Sequence, residues 1–315
     1  MLETDLGTSS NKLNFEREVA RFGPEQATAI PLAEAYAYCN RWATLHYENF
    51  VVASLLLPRR LRQDFHNIYA YCRWSDNLAD EISDPQRSLM LLEWWQGELS
   101  LCWQGSPRHP VLVALQQTIA RHKLRPAPFT DLLSAFRQDQ HIHRYADDAQ
   151  LLDYCRRSAN PVGRILLQLA DAANSETHSL SDHICTGLQL ANFCQDMARD
   201  AEQGRIYIPQ TRWLAHGVDE AMLLRGQATQ PLRSLLAEWV EQARFHLLAG
   251  RPLLDHIPRW LRTDIQLFVG GGLAVLQTID RQDYDVWSKR PRVSRWAQFR
   301  LLCVCWLPQW RVTTA

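Results

Sequence analysis

Nowhere in its 315 residues does the chain approach the ~18 uninterrupted apolar residues that a membrane-spanning helix needs. Its first residues also lack the basic and apolar character of a secretory leader, so a cytoplasmic protein is expected. Glycine and proline are scarce, at 13 and 15, and no linker rich in either divides the sequence; a single domain is therefore expected. Net charge is absent too, with 34 Lys and Arg against 34 Asp and Glu. Without a basic excess, nucleic acid is excluded as a partner, and an anionic ligand must be met locally. The eight cysteines, Cys39, Cys72, Cys102, Cys155, Cys185, Cys194, Cys303 and Cys305, are scattered and form no C-x-x-C pair. That speaks against both a disulfide framework and a zinc site. No G-x-G-x-x-G fingerprint for a dinucleotide is present.

What the chain has in quantity is apolar residues, 46%, spaced for amphipathic helices. Residues 1–30 are polar without a sustained period and read as a flexible lead. The spacing predicts helices over 32–45, from Arg59 to a stop at Asp84-Pro85, and over 89–103, 109–122, 129–144, 151–170, 180–203, 231–248 and 260–279. Asn160-Pro161-Val162-Gly163 should kink the sixth of these, because proline removes a backbone hydrogen bond. Gly270-Gly271-Gly272 lies within the last, where glycines are costly, so it marks either room for a long hydrocarbon or a break between two helices. From 287 to 315 the chain turns basic and rich in tryptophan, which suits either packing on the domain or contact with a membrane surface.

Two helices carry paired acids. In Ala191 to Asp200, Asn192, Asp196 and Asp200 recur every four residues, with Gln189 upstream and Cys185 and Leu188 continuing the stripe. In Phe65 to Glu81, the stripe Phe65, Tyr69, Cys72 runs into Asp76 and Asp80. Like charges a turn apart repel, so on core-directed faces they need a partner, and carboxylate and amide oxygens suit Mg²⁺ held together with substrate phosphates. A solvated acidic helix end beside Arg199 and Arg205 is the plainer alternative for the Asn192, Asp196 and Asp200 stripe. Arg73, three residues before Asp76, is placed to hold phosphate oxygens.

The D-x-x-x-D of Asp76 and Asp80, the later N-x-x-x-D-x-x-x-D, and Gly204-Arg205-Ile206-Tyr207-Ile208-Pro209 together resemble the squalene/phytoene synthase family. Within it, His46-Tyr47-Glu48-Asn49-Phe50, the Tyr71 to Asp76 run, Phe136 to Gln140 and Tyr154 to Gly163 are most similar to bacterial hydroxysqualene synthases of hopanoid biosynthesis. The resemblance implies an all-α, single-domain isoprenoid synthase fold, residues 31–286, in which long helices surround a deep central cavity.

It also implies roles. Asp76, Asp80, Asn192, Asp196 and Asp200 would bind Mg²⁺, with Asp80 and Asp196 taking part in catalysis. Tyr154 matches an active-site tyrosine and Tyr284 one near the pocket mouth. His46, Asn49, Arg73, Gln189 and Arg205 would face the diphosphate. His46 is equally a capping or core histidine, and Tyr207 equally a packing residue. Ala159, Val162 and Gly163 match a family break that lets an isoprenoid lie against backbone, but Asn160-Pro161 stands in place of Gly-x. Asn77 replaces a frequent second aspartate, and Gln195 stands where some relatives have arginine. The reaction implied is conversion of presqualene diphosphate and water to hydroxysqualene, without a nicotinamide, downstream of a presqualene diphosphate synthase. Asn160 would help hold the water. Head-to-head joining of two farnesyl diphosphates is the rival, and a non-catalytic helical scaffold the rival of another class.

Overall fold

The computed structural model describes residues 15–26, 30–45 and 57–293. His46, Tyr47 and Asn49 lie outside the described residues, as does the basic tail from 294 onward. Among the described residues all regular structure is helical apart from an isolated bridge between Arg144 and Ile206. No described helix is long and apolar enough to cross a membrane. The chain divides into two compact units, Met1–His141 and Ile142–Ala315.

The first unit holds α1 (residues 15–22), α2 (Leu32–Leu45), α3 (Arg59–Asp80), α4 (Pro85–Gln104), α5 (Pro110–His122) and α6 (Ala127–Gln138). Local chemistry sets several of these boundaries. Asp84 accepts from the Gln86 amide with Pro85 opening α4, and His109 Nδ1 accepts from the Val111 amide with Pro110 opening α5. The core is aromatic: Trp74 and Trp95 are fully buried and stacked at 5.5 Å. Their indole N–H groups donate to Tyr38 and to Ser75, so burial leaves neither unsatisfied. Asp64, 1% exposed, is compensated by Arg121 at 2.7 Å and by Thr118 at 2.9 Å. The flexible lead expected over 1–30 needs correction at α1, where Phe15 and Val19 are buried and Phe15 meets Trp74 edge-on at 4.9 Å. Two turns are too short to show a period, but one buried apolar side chain per turn, Phe15 and then Val19, suffices to dock them.

The second unit holds α7 (Asp148–Ser158), α8 (Asn160–Leu169), α9 (Ser175–Glu202), α10 (Gln210–Ala215), α11 (Glu220–Arg225), α12 (Gln230–Ala249), a 3₁₀ turn (Arg251–Asp255) and α13 (Arg259–Arg281). The 28-residue α9 is its centre. It begins earlier than its apolar period because Asn174 and Thr177 form a reciprocal capping box. Missing side chains let neighbouring backbones come close: a Cβ on Gly187 would lie 2.8 Å from the Leu247 amide of α12, and one on Gly250 2.6 Å from the Leu180 carbonyl. The α7–α8 junction falls at Ala159, as the proline predicts.

α13 runs unbroken through its three glycines, which rules out a break there. Gly272 faces Leu188 and Leu247 at 3.0 Å from a built Cβ, whereas Gly271 meets nothing within 4 Å. Gly163 does not leave a bare surface for a hydrocarbon either. A Cβ there would sit 2.2 Å from Ser181 Oγ and 2.7 Å from Cys185 Sγ, so the space belongs to α9. Gly163→Ala should therefore cost about 1–3 kcal/mol in chemical denaturation, with part recovered by adding Ser181→Gly and Cys185→Ala. An unaltered midpoint in the single variant would show that the two helices do not need this contact.

Candidate active site

In the first unit, α3 buries Ile68, Tyr71, Trp74, Ser75 and Leu78. The stripe with Asp76 and Asp80 lies beside that face: Asp76 is half-buried and Asp80 exposed. The expectation that the acids point into the core is thus corrected. Desolvating a carboxylate costs more than the helix gains, so α3 turns its aromatic side inward and carries the acids along its flank. Arg73 Nη1 donates to Asp76 Oδ2 at 2.7 Å, and Nη2 lies 3.9 Å from Glu81. Its Nε is buried without a partner. Gln140, from the Phe136 to Gln140 stretch, donates to the Ala79 carbonyl at 3.0 Å and so ties down the turn that carries Asp80. Arg137 of the same stretch binds Gln96 and Glu93 of α4.

In the second unit, α9 repeats the arrangement. Leu190, Cys194 and Met197 face the core, while Gln189, Asp196 and Asp200 are half-buried and Asn192 is exposed. Asp196 is gripped by Arg290, whose Nε and Nη2 reach its two oxygens at 2.5 and 3.0 Å. The Asp200 carboxyl is pushed up to about 7, first by burial and then by Asp196, with Arg205, Arg199 and Arg290 pulling the other way. The Arg205 amide donates to the Asp200 carbonyl at 2.7 Å, and both residues line one small cleft with Phe193 and Tyr207. Tyr207 stacks on Phe193 at 3.9 Å, beside Tyr145 and Tyr154. Tyr154, 4% exposed, is part of this aromatic cluster. Asn160, 6% exposed, stands apart from it: its amide oxygen accepts from Thr186 of α9 at 3.0 Å. Thr186 and Phe193 are seven residues apart on α9, which is about 10 Å along the axis.

Tyr284 follows α13 in a turn where Asp283 and it both take left-handed φ, 51° and 57°. Such backbone costs roughly 1–2 kcal/mol per non-glycine residue. Arg233 offsets it by clamping the Asp283 carbonyl and carboxylate, and Arg244 holds Asp280 at 2.6 Å, which in turn bonds the Tyr284 hydroxyl.

Among the described residues no three His, Cys, Asp or Glu side chains converge as a metal site. Each stripe alone offers two carboxylates a turn apart, a set that fits Mg²⁺ only when substrate phosphates complete the shell. The repulsion between Asp196 and Asp200 and the burial of Asp200 support that fit, since a divalent cation removes both costs.

A family model described as squalene/phytoene synthase matches residues 43–297. The chain belongs to this family. Squalene/phytoene synthase relatives include a phytoene synthase of Arthrospira platensis, 29% identical over 89% of this chain and 94% of its own. The crystal structure of squalene synthase HpnC from Alicyclobacillus acidocaldarius is 38% identical, with a TM-score of 0.78 over 81% of this chain and 97% of that one. A dehydrosqualene synthase structure, 24% identical and covering 87% of this chain and 96% of its own, shares the fold with a TM-score of 0.79. The expected all-α isoprenoid synthase fold is thereby established, and with it an isoprenoid synthase acting on prenyl diphosphates.

Residue patterns missed Arg290, Thr186, Arg233 and Arg244. The three arginines lie on other elements than the acids, and Arg290 is 94 residues from its partner. The asymmetry at Asp200 is testable. Its folded carboxyl holds a proton up to about pH 7, against an ordinary value of 3.8. The protein therefore loses stability as pH rises between those values, and the loss persists above them. Asp200→Asn, which cannot ionise, should raise stability at pH 8 by on the order of 1–2 kcal/mol after allowance for screening, and by little at pH 4. A destabilised variant at pH 8 would contradict the electrostatic account.

Proposed function

We propose that the chain is a hydroxysqualene synthase, converting presqualene diphosphate and water to hydroxysqualene and diphosphate. Asn160 carries the reading. It stands where relatives have the first residue of Gly-x, is buried, and has its amide oxygen committed to Thr186. Its amide nitrogen keeps two donors to spend, a provision an apolar path for a hydrocarbon has no use for. A buried water needs roughly two to four polar partners. Asn160 and Thr186 would supply them. The aromatic cluster that holds Tyr154 lies two turns away along α9, so the tyrosine is given a different task.

In this reading Asp76, Asp80, Asn192, Asp196 and Asp200 hold Mg²⁺, which when bound supplies charge neutralisation for the departing diphosphate. Arg73, Gln189 and Arg205 bind and orient the diphosphate oxygens. Tyr154, with Tyr145, Phe193 and Tyr207, presents aromatic faces to the positive charge left on the hydrocarbon and excludes bulk water from it. The carbon–oxygen bond to diphosphate breaks, the water oxygen forms the new one, and the water gives up a proton. No hydride donor enters. The substrate must come from a synthase that makes presqualene diphosphate, and the product would pass to hopanoids.

A second reading, head-to-head joining of two farnesyl diphosphates, is favoured by the relatives, which are phytoene synthases and a squalene synthase. A non-catalytic scaffold is disfavoured because all four aspartates are in place. With presqualene diphosphate and Mg²⁺ but no NADPH, the enzyme should yield hydroxysqualene carrying label from oxygen-18 water. Thr186→Val should lower that yield by about tenfold, the worth of one lost hydrogen bond. Unlabelled alcohol would overturn capture of water, and squalene formed only with NADPH, or ready consumption of farnesyl diphosphate, would favour the second reading.

A further inference from the structure

Each acidic stripe presents its first aspartate already paired with an arginine: Asp76 with Arg73 on the same helix, Asp196 with Arg290 from a segment beyond α13. The second pair is the unusual one. Arg290 is 44% exposed on its side chain and Asp196 25%, yet the contact is bidentate. The segment is held there by a further bond, since Gln195 Nε2 donates to the Pro291 carbonyl at 2.7 Å. It is held at its root by Arg233, which reaches Asp283 at 2.7 Å and Asp285 at 3.7 Å. At the root itself sits the left-handed pair Asp283 and Tyr284, where a short turn changes the direction of the chain. Residues 285–293 are thus a strap fastened at two points across the acids of α9. The fastening at the tip uses an oxygen pair that a divalent cation would need.

We propose that Arg290 is an exchangeable counter-ion of the acidic stripe. It and the divalent cation compete for Asp196, and when cation and diphosphate arrive together the guanidinium transfers from the carboxylate to the diphosphate oxygens. The inference rests on the metal reading of α9 given above and adds to it a binding residue and a moving part. The chemistry favours the transfer. A guanidinium matches two carboxylate oxygens or two phosphate oxygens equally well in geometry, so Arg290 changes partners without losing its paired donors. Gln195 reinforces the closed arrangement with a neutral bond that costs little to break. The strap would then tie release of Asp196 to the arrival of a ligand able to accept Arg290, so that the cation alone binds poorly.

The test titrates full-length protein with Mn²⁺, reading free ion by electron paramagnetic resonance, with and without inorganic pyrophosphate. Arg290→Gln should bind Mn²⁺ about fivefold more tightly than wild type when pyrophosphate is absent, the scale of a partly exposed bidentate pair. With Mn²⁺ present it should bind pyrophosphate more weakly than wild type. Equal or weaker Mn²⁺ affinity in Arg290→Gln overturns the exchange. Asp196→Asn separates the two layers of the argument. If it binds Mn²⁺ as wild type does, the metal reading itself fails and takes the exchange with it; if it loses Mn²⁺ while Arg290→Gln is unchanged, only the exchange fails. Trypsin gives an independent readout: without ligands, cleavage after Lys289 and Arg292 should be faster in Arg290→Gln than in wild type, and Mn²⁺ with pyrophosphate should change the wild-type rate but not the variant's. Cleavage insensitive to both ligands and variant would contradict a moving strap.

Discussion

Two carboxylates one turn apart on a half-open helix face are the constraint around which the second unit is arranged. Asp196 holds Arg290 on both oxygens, but Asp200 beside it has no such bidentate partner, so the pair is neither fully buried nor left in free water. The helix resolves this by rotating Leu190, Cys194 and Met197 inward and leaving the acids on the flank. What remains is a charge deficit, visible in the raised Asp200 and in the arginine drawn to Asp196. Stability is forgone at this position, which is the usual mark of a surface kept for a ligand.

The rest of the unit keeps that surface still. Gly163, Gly187, Gly250 and Gly272 each let a neighbour approach α9 or its partners closely, so the helix that bears the acids is braced along its length by steric fit. The turn at Gly204, in left-handed conformation, brings Arg205 back beside Asp200 and Tyr207 onto Phe193. The first unit uses aromatic packing to the same end, with Trp74 and Trp95 fixing the register of α3 and Gln140 pinning the turn after Asp80.

Much of this was legible from periodicity. α2 occupies Leu32–Leu45 as its spacing predicts, and the Asn160-Pro161 junction divides α7 from α8. Which side of a stripe faces the core was not legible, because the acids sit roughly 80–180° around the helix from the most buried positions and a one-dimensional pattern does not say which stripe turns inward. α1 escaped notice because two turns carry no period. α6 ends at Gln138 instead of continuing to Arg144, since His143 and Arg144 pair with the chain at Ile206. Contacts between distant segments, Arg290 with Asp196 and Asn160 with Thr186, leave no local signal at all. The family resemblance located the acids and the reaction class; it said nothing of these partners.

The central claim is that the α9 stripe receives a divalent cation together with a diphosphate. Anomalous X-ray scattering from crystals of the full-length protein soaked in Mn²⁺ and inorganic pyrophosphate tests it most directly. The account predicts manganese peaks against the Asp196 and Asp200 carboxylates, with pyrophosphate oxygens completing the coordination. Manganese bound elsewhere, or pyrophosphate bound with no peak at these two residues, would contradict it.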